Sequence, residues 1–136
     1  TTLDATQNSA NMWYGLYQKM ASFTEKGDKF VSSMIWGSQY DAMMNWMAKS
    51  GKEVGTLNSK MRNNSYVTGT SSKDVINNVY DLYGCHYEWT LEAHDTNYRV
   101  ERGGSSDGYF SPSARDNNYP NFPDNRDSSR ATLYIM

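Results

Sequence analysis

The sequence predicts an α+β fold in which two helices pack on a small, mostly antiparallel sheet with long loops. Three features point there: apolar residues at helical spacing before Gly51, alternating apolar residues in the second half, and a long polar segment near the end without periodicity. A length of 136 residues suits one core, so residues 1–136 are read as a single domain.

The first helix is expected over residues 8–23, where Met12, Trp13, Leu16, Tyr17 and Met20 share a face and Asn8 and Ser9 stand ready as caps. The second is expected over 38–49, with Ser38 as cap, Tyr40, Met43, Met44 and Met47 on one face, and Gly51 as the stop. Residues 51–73 turn rich in Gly, Asn, Ser and Thr and read as a surface loop, broken only by Tyr66-Val67-Thr68. Strands follow at Tyr87, Trp89 and Leu91, at Tyr98 to Arg102, and at Ala131, Leu133 and Ile135. Trp13, Trp36, Trp46 and Trp89, with Met43, Met44 and Met47, are the candidate core.

Composition narrows the function classes. Thirteen Lys and Arg against fifteen Asp and Glu leave a formal charge of −2, and no basic run supplies the phosphate neutralisation that nucleic-acid binding needs. No stretch approaches the roughly 20 apolar residues of a spanning helix, and the first residues lack a signal peptide's charged and apolar regions, so direct membrane insertion is not expected. The single cysteine, Cys85, cannot close an intrachain disulfide. Eleven Tyr and four Trp are many for so polar a chain, and suit a core or a binding face.

Residues 105–128 are the most informative segment. They hold all three prolines and a dense mixture of Ser, Asp, Asn, Tyr and Phe. Uninterrupted loops of such length are uncommon in compact domains and are either disordered or functional. Tyr109, Phe110, Tyr119 and Phe122 punctuate this one, and strands are expected on both sides, which favours function. Lys, Glu, Gln, Met and Trp make up 26 of the first 104 residues, yet none occurs among these 24. At that frequency such a run arises roughly once in a thousand trials, so the bias is real. Those five types share a genetic property. An asparagine codon AAC or AAT whose adenines are freely replaced reaches Asn, Tyr, Asp, Ser, Phe, Gly, Ala and Arg, but never Lys, Glu, Gln, Met or Trp. Every residue from Ser105 to Ser128 lies in the permitted set.

This pattern resembles the target proteins of diversity-generating retroelements, whose C-terminal cassette is diversified by adenine-directed mutagenesis. The flanks carry the likeness further: Asn78-Val79-Tyr80-Asp81-Leu82-Tyr83-Gly84, Tyr87-Glu88-Trp89-Thr90, Arg99-Val100-Glu101-Arg102-Gly103-Gly104, and Ser129-Arg130-Ala131-Thr132-Leu133-Tyr134-Ile135. They are similar to the formylglycine-generating-enzyme branch of the C-type-lectin fold. Ile35-Trp36-Gly37-Ser38 stands where that branch has an Arg-Leu-Pro-Thr-like turn before a helix. The likeness spans about residues 10 to 135, specific in the C-terminal half and loose before Val31. The opening strand of the fold is not evident, so the chain is expected to be a fragment of a longer protein.

The resemblance implies a C-type-lectin-like scaffold presenting a hypervariable surface to a protein or surface-glycan ligand, on a phage particle or a bacterial surface. Inside the cassette, Tyr and Phe offer contact area while Ser, Asn, Asp and Gly offer adaptable hydrogen bonds, as in an antibody paratope. The residues expected to face the ligand are Ser106, Asp107, Gly108, Phe110, Ala114, Asp116, Asn117, Asn118, Tyr119, Asn121, Phe122, Asp124 and Asn125. Ser111, Pro112, Arg115 and Pro120 are candidate fixed supports.

Two rivals remain at this level. One is a constant lectin-like adhesion module. The other is an oxidase of the formylglycine-generating type, but that chemistry uses a pair of cysteines and Cys85 is alone, in a place where the family has an Asn. A catalytic role is therefore not expected. Cys85, His86 and His94 match no familiar zinc spacing, and adjacent Cys and His chelate poorly in tetrahedral geometry. No cofactor is expected. Calcium is the one the resemblance leaves open, at Glu88, with the change of Asn to Cys85 against it.

Overall fold

The computed structural model describes residues 12–23, 29–51, 75–82, 86–104 and 111–135. Its elements run α1 (Trp13–Ala21), β1 (Phe30–Met34), α2 (Gly37–Lys49), β2 (Val75–Ile76), β3 (Val79–Tyr80), β4 (Tyr87–Ala93), β5 (Arg99–Arg102), β6 (Arg115–Asn118), β7 (Asp127–Ser129) and β8 (Ala131–Ile135). The α+β expectation holds. Four strands form one sheet in the order β6-β5-β4-β7, β1 pairs with β8, and β2 with β3. Every pairing is antiparallel except β4 with β7, which is parallel.

Both helices lie where apolar spacing placed them, but their starts differ. Helix α2 begins at Gly37, with Trp36 as cap residue and its backbone N–H donating to Gln39 Oε1 at 2.9 Å, so Ser38 is inside the helix. Gly51 takes φ +75° beyond the C-terminus, the left-handed conformation that ends a helix at little cost for glycine. Helix α1 starts after Met12, and the caps expected at Asn8 and Ser9 lie outside the described residues, as do Tyr66-Val67-Thr68 and most of the 51–73 loop.

Strand β1, Phe30-Val31-Ser32-Ser33-Met34, is a strand that the sequence did not reveal. It pairs in full register with β8, from Phe30 opposite Ile135 to Met34 opposite Ala131. Its two central serines break the apolar alternation, although Ser32 and Met34 both turn inward. The β2–β3 hairpin closes on Asn77 and Asn78, with φ of 50° and 64°, the two-residue turn for which Asn is suited.

The core has two parts. On the α2 side, Tyr40 and Met47 meet Ile35, Ile76 and Leu82, with Met43, Met44 and Val79 against them. On the α1 side, Leu16 and Met20 meet Met34 and the fully buried Trp89, with Trp13, Leu91 and Ala131 alongside. Two of the four tryptophans expected in the core are not there: Trp36 is 49% exposed and Trp46 52%. Trp46 falls off the stripe that Tyr40, Met43, Met44 and Met47 make along α2, and Trp36 caps the helix from outside it.

Strand β4 carries an irregularity in its pairing with β5. Trp89 pairs with Glu101 and Ala93 with Arg99, so β4 spends four residues where β5 spends two. The Thr90 hydroxyl fills the gap, donating to Val100 O at 3.1 Å and accepting from Glu92 N at 3.2 Å. Leu91 N, displaced from the ladder, donates to Ile35 O at 3.0 Å and ties β4 to the start of α2.

Candidate functional site

The 105–128 cassette is not one continuous loop. It contributes β6 at one edge of the four-stranded sheet and β7 at the other, and residues 119–126 span between them. Its sequence shows no strand periodicity because β6 is Arg-Asp-Asn-Asn, an all-polar edge strand held by backbone pairing with β5. Beyond it, Asn118 Oδ1 accepts from Tyr119 N at 2.9 Å, Phe122 N donates to Tyr119 O at 3.0 Å, and Asp124 Oδ1 accepts from Arg126 N at 2.9 Å. These local bonds give the segment a defined path without an apolar core of its own.

Of the thirteen residues expected to face a ligand, Ser106, Asp107, Gly108 and Phe110 lie outside the described residues. Tyr119, Asn121, Phe122 and Asn125 are exposed together on the 119–126 span. Ala114, Asp116, Asn117 and Asn118 are half-buried in or beside β6. Asp124 is buried: its carboxylate turns back to Arg126, which meets it at 2.9 Å through Nε and 2.5 Å through Nη2. The Arg126 guanidinium holds that carboxyl below the usual carboxylate range, so Asp124 shapes the loop and offers little surface to a partner.

The residues named as supports act in different ways. Pro112 is buried and its carbonyl accepts from Tyr40 Oη at 3.2 Å, which pins the cassette to α2. Arg115 bridges two acids from different elements, Asp41 on α2 and Glu92 on β4, the latter at 3.2 Å. Behind it, Arg102 is 1% exposed, meets Asp41 at 2.6 Å, and lies 4.6 Å over the Tyr40 ring. Glu92 packs so tightly over Gly37 that any Cβ there would clash, 2.0 Å from its Oε2. Gly103, at φ +73°, lets the chain leave β5 past the Leu82 carbonyl, 3.0 Å from where a Cβ would sit. Ser111 is exposed, its hydroxyl 2.9 Å from that of Ser113, and Pro120 is half-buried.

Residues outside the cassette complete the surface, and the sequence did not single them out. The Tyr98 ring lies tilted by 36° against Tyr119, with ring centroids 4.3 Å apart, and its hydroxyl donates to that of Tyr119 at 2.6 Å, a contact that raises the Tyr98 phenol above its ordinary value. The β4–β5 turn beneath is set by Asp95 Oδ1, which accepts from Asn97 N at 2.7 Å and Tyr98 N at 2.9 Å. Tyr14, Thr96 and Asn97 then join Tyr119, Pro120 and Asn121 around a depression of about 240 Å³. A larger trough lies alongside, in two adjoining parts of about 380 and 510 Å³ that share Trp36, Leu91 and Ala93. Arg99 and Trp13 line one end, and Asp41, Glu92 and Arg115 the other. Trp36 reads as core because tryptophan usually is; its position immediately before a helix start was the signal for exposure.

Among the described residues, no group of three or more His, Cys, Asp or Glu side chains converges as metal ligands would. Glu88, the calcium ligand that the resemblance suggested, does not fit that role: both its oxygens meet Arg130, whose guanidinium also donates to Tyr80 O at 2.9 Å. Cys85 lies outside the described residues. Among the described residues, no helix is long and apolar enough to cross a membrane. Comparison of the chain with protein-family models, characterised proteins and solved structures returns no match.

Proposed function

We propose that this chain is a non-catalytic binding domain of C-type-lectin-like fold whose 105–128 cassette is diversified by a retroelement and displayed to a protein or surface-glycan ligand. The observation that carries the reading is compositional: five residue types frequent elsewhere are missing from the cassette, and they are those that adenine replacement in an asparagine codon never reaches. The arrangement of the cassette supports it. Its exposed aromatic and amide residues, Tyr119, Asn121, Phe122 and Asn125, stand on a span whose ends are paired into a sheet made largely by residues outside the cassette. Anchoring contacts reach it through Pro112 and Arg115, from Tyr40, Asp41 and Glu92. Such a division lets surface residues change while the fold stays encoded elsewhere. No reaction and no cofactor belong to this reading, and its location would be a phage particle or a bacterial surface.

Deep sequencing of the encoding region from the source population tests it. Substitutions concentrated at asparagine-compatible codons of the exposed 119–125 span and of residues 106–110, beside a near-copy of the 3′ end and a reverse transcriptase, are expected. A uniform cassette without that copy would sink the diversification and leave a constant adhesion module.

A further inference from the structure

Two buried carboxyl groups, one beside the cassette and one near its end, form no ion pair among the described residues. Glu101 on β5 and Asp127 on β7 are 3% and 7% exposed, on the two strands that flank Trp89 of β4. Register puts them on one face, since Glu101 is opposite Trp89, Asp127 opposite Tyr87, and residues two apart on a strand share a face. The Asp127 carboxyl lies beside both Glu101 and the Trp89 indole. Yet Glu101 Oε1, both Asp127 oxygens and Trp89 Nε1 are buried without a hydrogen-bond partner in good geometry.

The neighbouring acids sharpen the problem. Asp116 of β6 is directly opposite Glu101 and Asn118 is close by, while Asp124 precedes Asp127. Arg126, on the same turn, binds Asp124 through its guanidinium, and its charge lowers Asp127 by less than burial and Asp124 raise it. Arg99 of β5 lies over the Trp13 ring, 5.5 Å from its centroid, and donates to the Asp95 and Tyr98 carbonyls. Arg102 and the Glu88–Arg130 pair alternate onto the opposite face. From α1, Leu16 and Met20 are buried, Tyr17 and Lys19 are exposed, and Tyr14 is half-buried. Two buried carboxylates side by side cost desolvation and mutual repulsion, and one proton between them removes both while making an O–H···O bond from otherwise orphaned oxygens.

We propose that the Glu101–Asp127 pair shares a proton at neutral pH, and that its loss releases β7 and the 119–126 span, so that display of the cassette surface depends on pH. The consequence for ligand display rests on the binding reading above; the proton latch itself does not. Burial and each other's charge push Glu101 up to about 8, and burial with Asp124 pushes Asp127 up to about 7. The pair titrates as a unit, so neither value belongs to one residue alone. Strand β7 is the element that yields. It is three residues long and lies at the sheet edge, whereas β5 is paired on both sides.

Both carboxyls are raised from their unfolded values, so their stabilisation is complete below about pH 4 and is lost as pH rises through about 7 to 8. The urea midpoint of the intact chain should therefore fall between pH 5 and pH 9, while Glu101→Gln and Asp127→Asn should each flatten the profile. In parallel, carboxyl carbon resonances of the unmodified chain should show a side-chain carboxyl still protonated at pH 6, which needs no variant to fold. Between about pH 4 and the raised values near 7 and 8, the population with β7 released should grow by up to about tenfold per pH unit for each carboxyl that holds its proton only while β7 is packed, and should level off above them. A flat profile, or carboxyl resonances that all titrate below pH 5, would overturn the latch. Calcium chloride restoring the midpoint at pH 8 would overturn it too, because the pair would then hold a cation. None of these readouts uses a ligand, so the latch and the diversified surface can fail separately.

Discussion

The two faces of the four-stranded sheet solve the same electrostatic problem in opposite ways. On the α2 face acids are met by guanidinium groups: the buried Glu88 has Arg130, and the partly exposed Asp41 and Glu92 share Arg102 and Arg115. On the α1 face Glu101 and Asp127 have none, and Asp116 and Asp124 add further negative charge. One strand makes both, since adjacent residues of β5 point Glu101 one way and Arg102 the other. The difference assigns roles: the paired face fixes the cassette to α2, while the unpaired face makes the packing of β7 conditional.

The largest effect that would break this contrast is on the paired face. Arg130→Ala leaves Glu88 buried and uncompensated, and frees the Tyr80 carbonyl it also binds. The expected loss is about 3–5 kcal/mol, measured by urea unfolding at pH 7. A loss below about 1 kcal/mol would mean that Glu88 reaches water or takes up a proton readily, and that the two faces do not differ in kind.

The next test sets one chemical change against itself. Glu88→Gln removes a charge that Arg130 needs and should cost about 3 kcal/mol at pH 8. Glu101→Gln removes a charge that nothing needs and should gain about 1 kcal/mol at pH 8, with little effect at pH 5. Opposite signs at the same pH sustain the contrast; equal signs collapse it.

How far these features were legible varies along the chain for physical reasons. Both helices and the strands around Trp89, Val100 and Leu133 followed from apolar periodicity, although in the last of these Leu133 and Ile135 are exposed. Strands β6 and β7 did not, because Arg115 to Asn118 and Asp127 to Ser129 are polar throughout and become strands by pairing with neighbours already in place. Strand β1 hid for a similar reason, with Ser32 and Ser33 where alternation should show. Of the candidate surface, the exposed Tyr119 and Phe122 were legible in composition. Tyr98, Tyr14 and Trp36 were not, since their place beside the cassette comes from the bulge in β4 and the capping of α2. The acid pair was out of reach as well, because Glu101 and Asp127 are 26 positions apart in sequence and only sheet register joins them.

A smaller effect is expected where the paired face reaches solvent. Arg115 is about half exposed, so Arg115→Ala should cost below about 1 kcal/mol in the urea midpoint. Its signature is positional: with Asp41 and Glu92 released, amide exchange along β6 should quicken while β5 and β4 keep their protection. Uniform exchange across the three strands would show that backbone pairing alone positions the cassette edge.

The smallest stability effect belongs to the outermost residues, and there the contrast between framework and surface is sharpest. Tyr119 and Phe122 are about half exposed, and neither fills a core position, so Phe122→Ala should leave stability within about 0.5 kcal/mol. Tyr119→Ala also removes the ring contact and hydroxyl bond with Tyr98, and should cost nearer 1 kcal/mol. The free Tyr98 phenol would then return toward its ordinary value, a downward shift readable by ultraviolet titration. If Phe122→Ala instead destabilised the chain as a core truncation does, by about 3 kcal/mol or more, the span would be part of the framework and could not vary freely. The proposed division between an encoded scaffold and a changeable surface would then fail at its most exposed point.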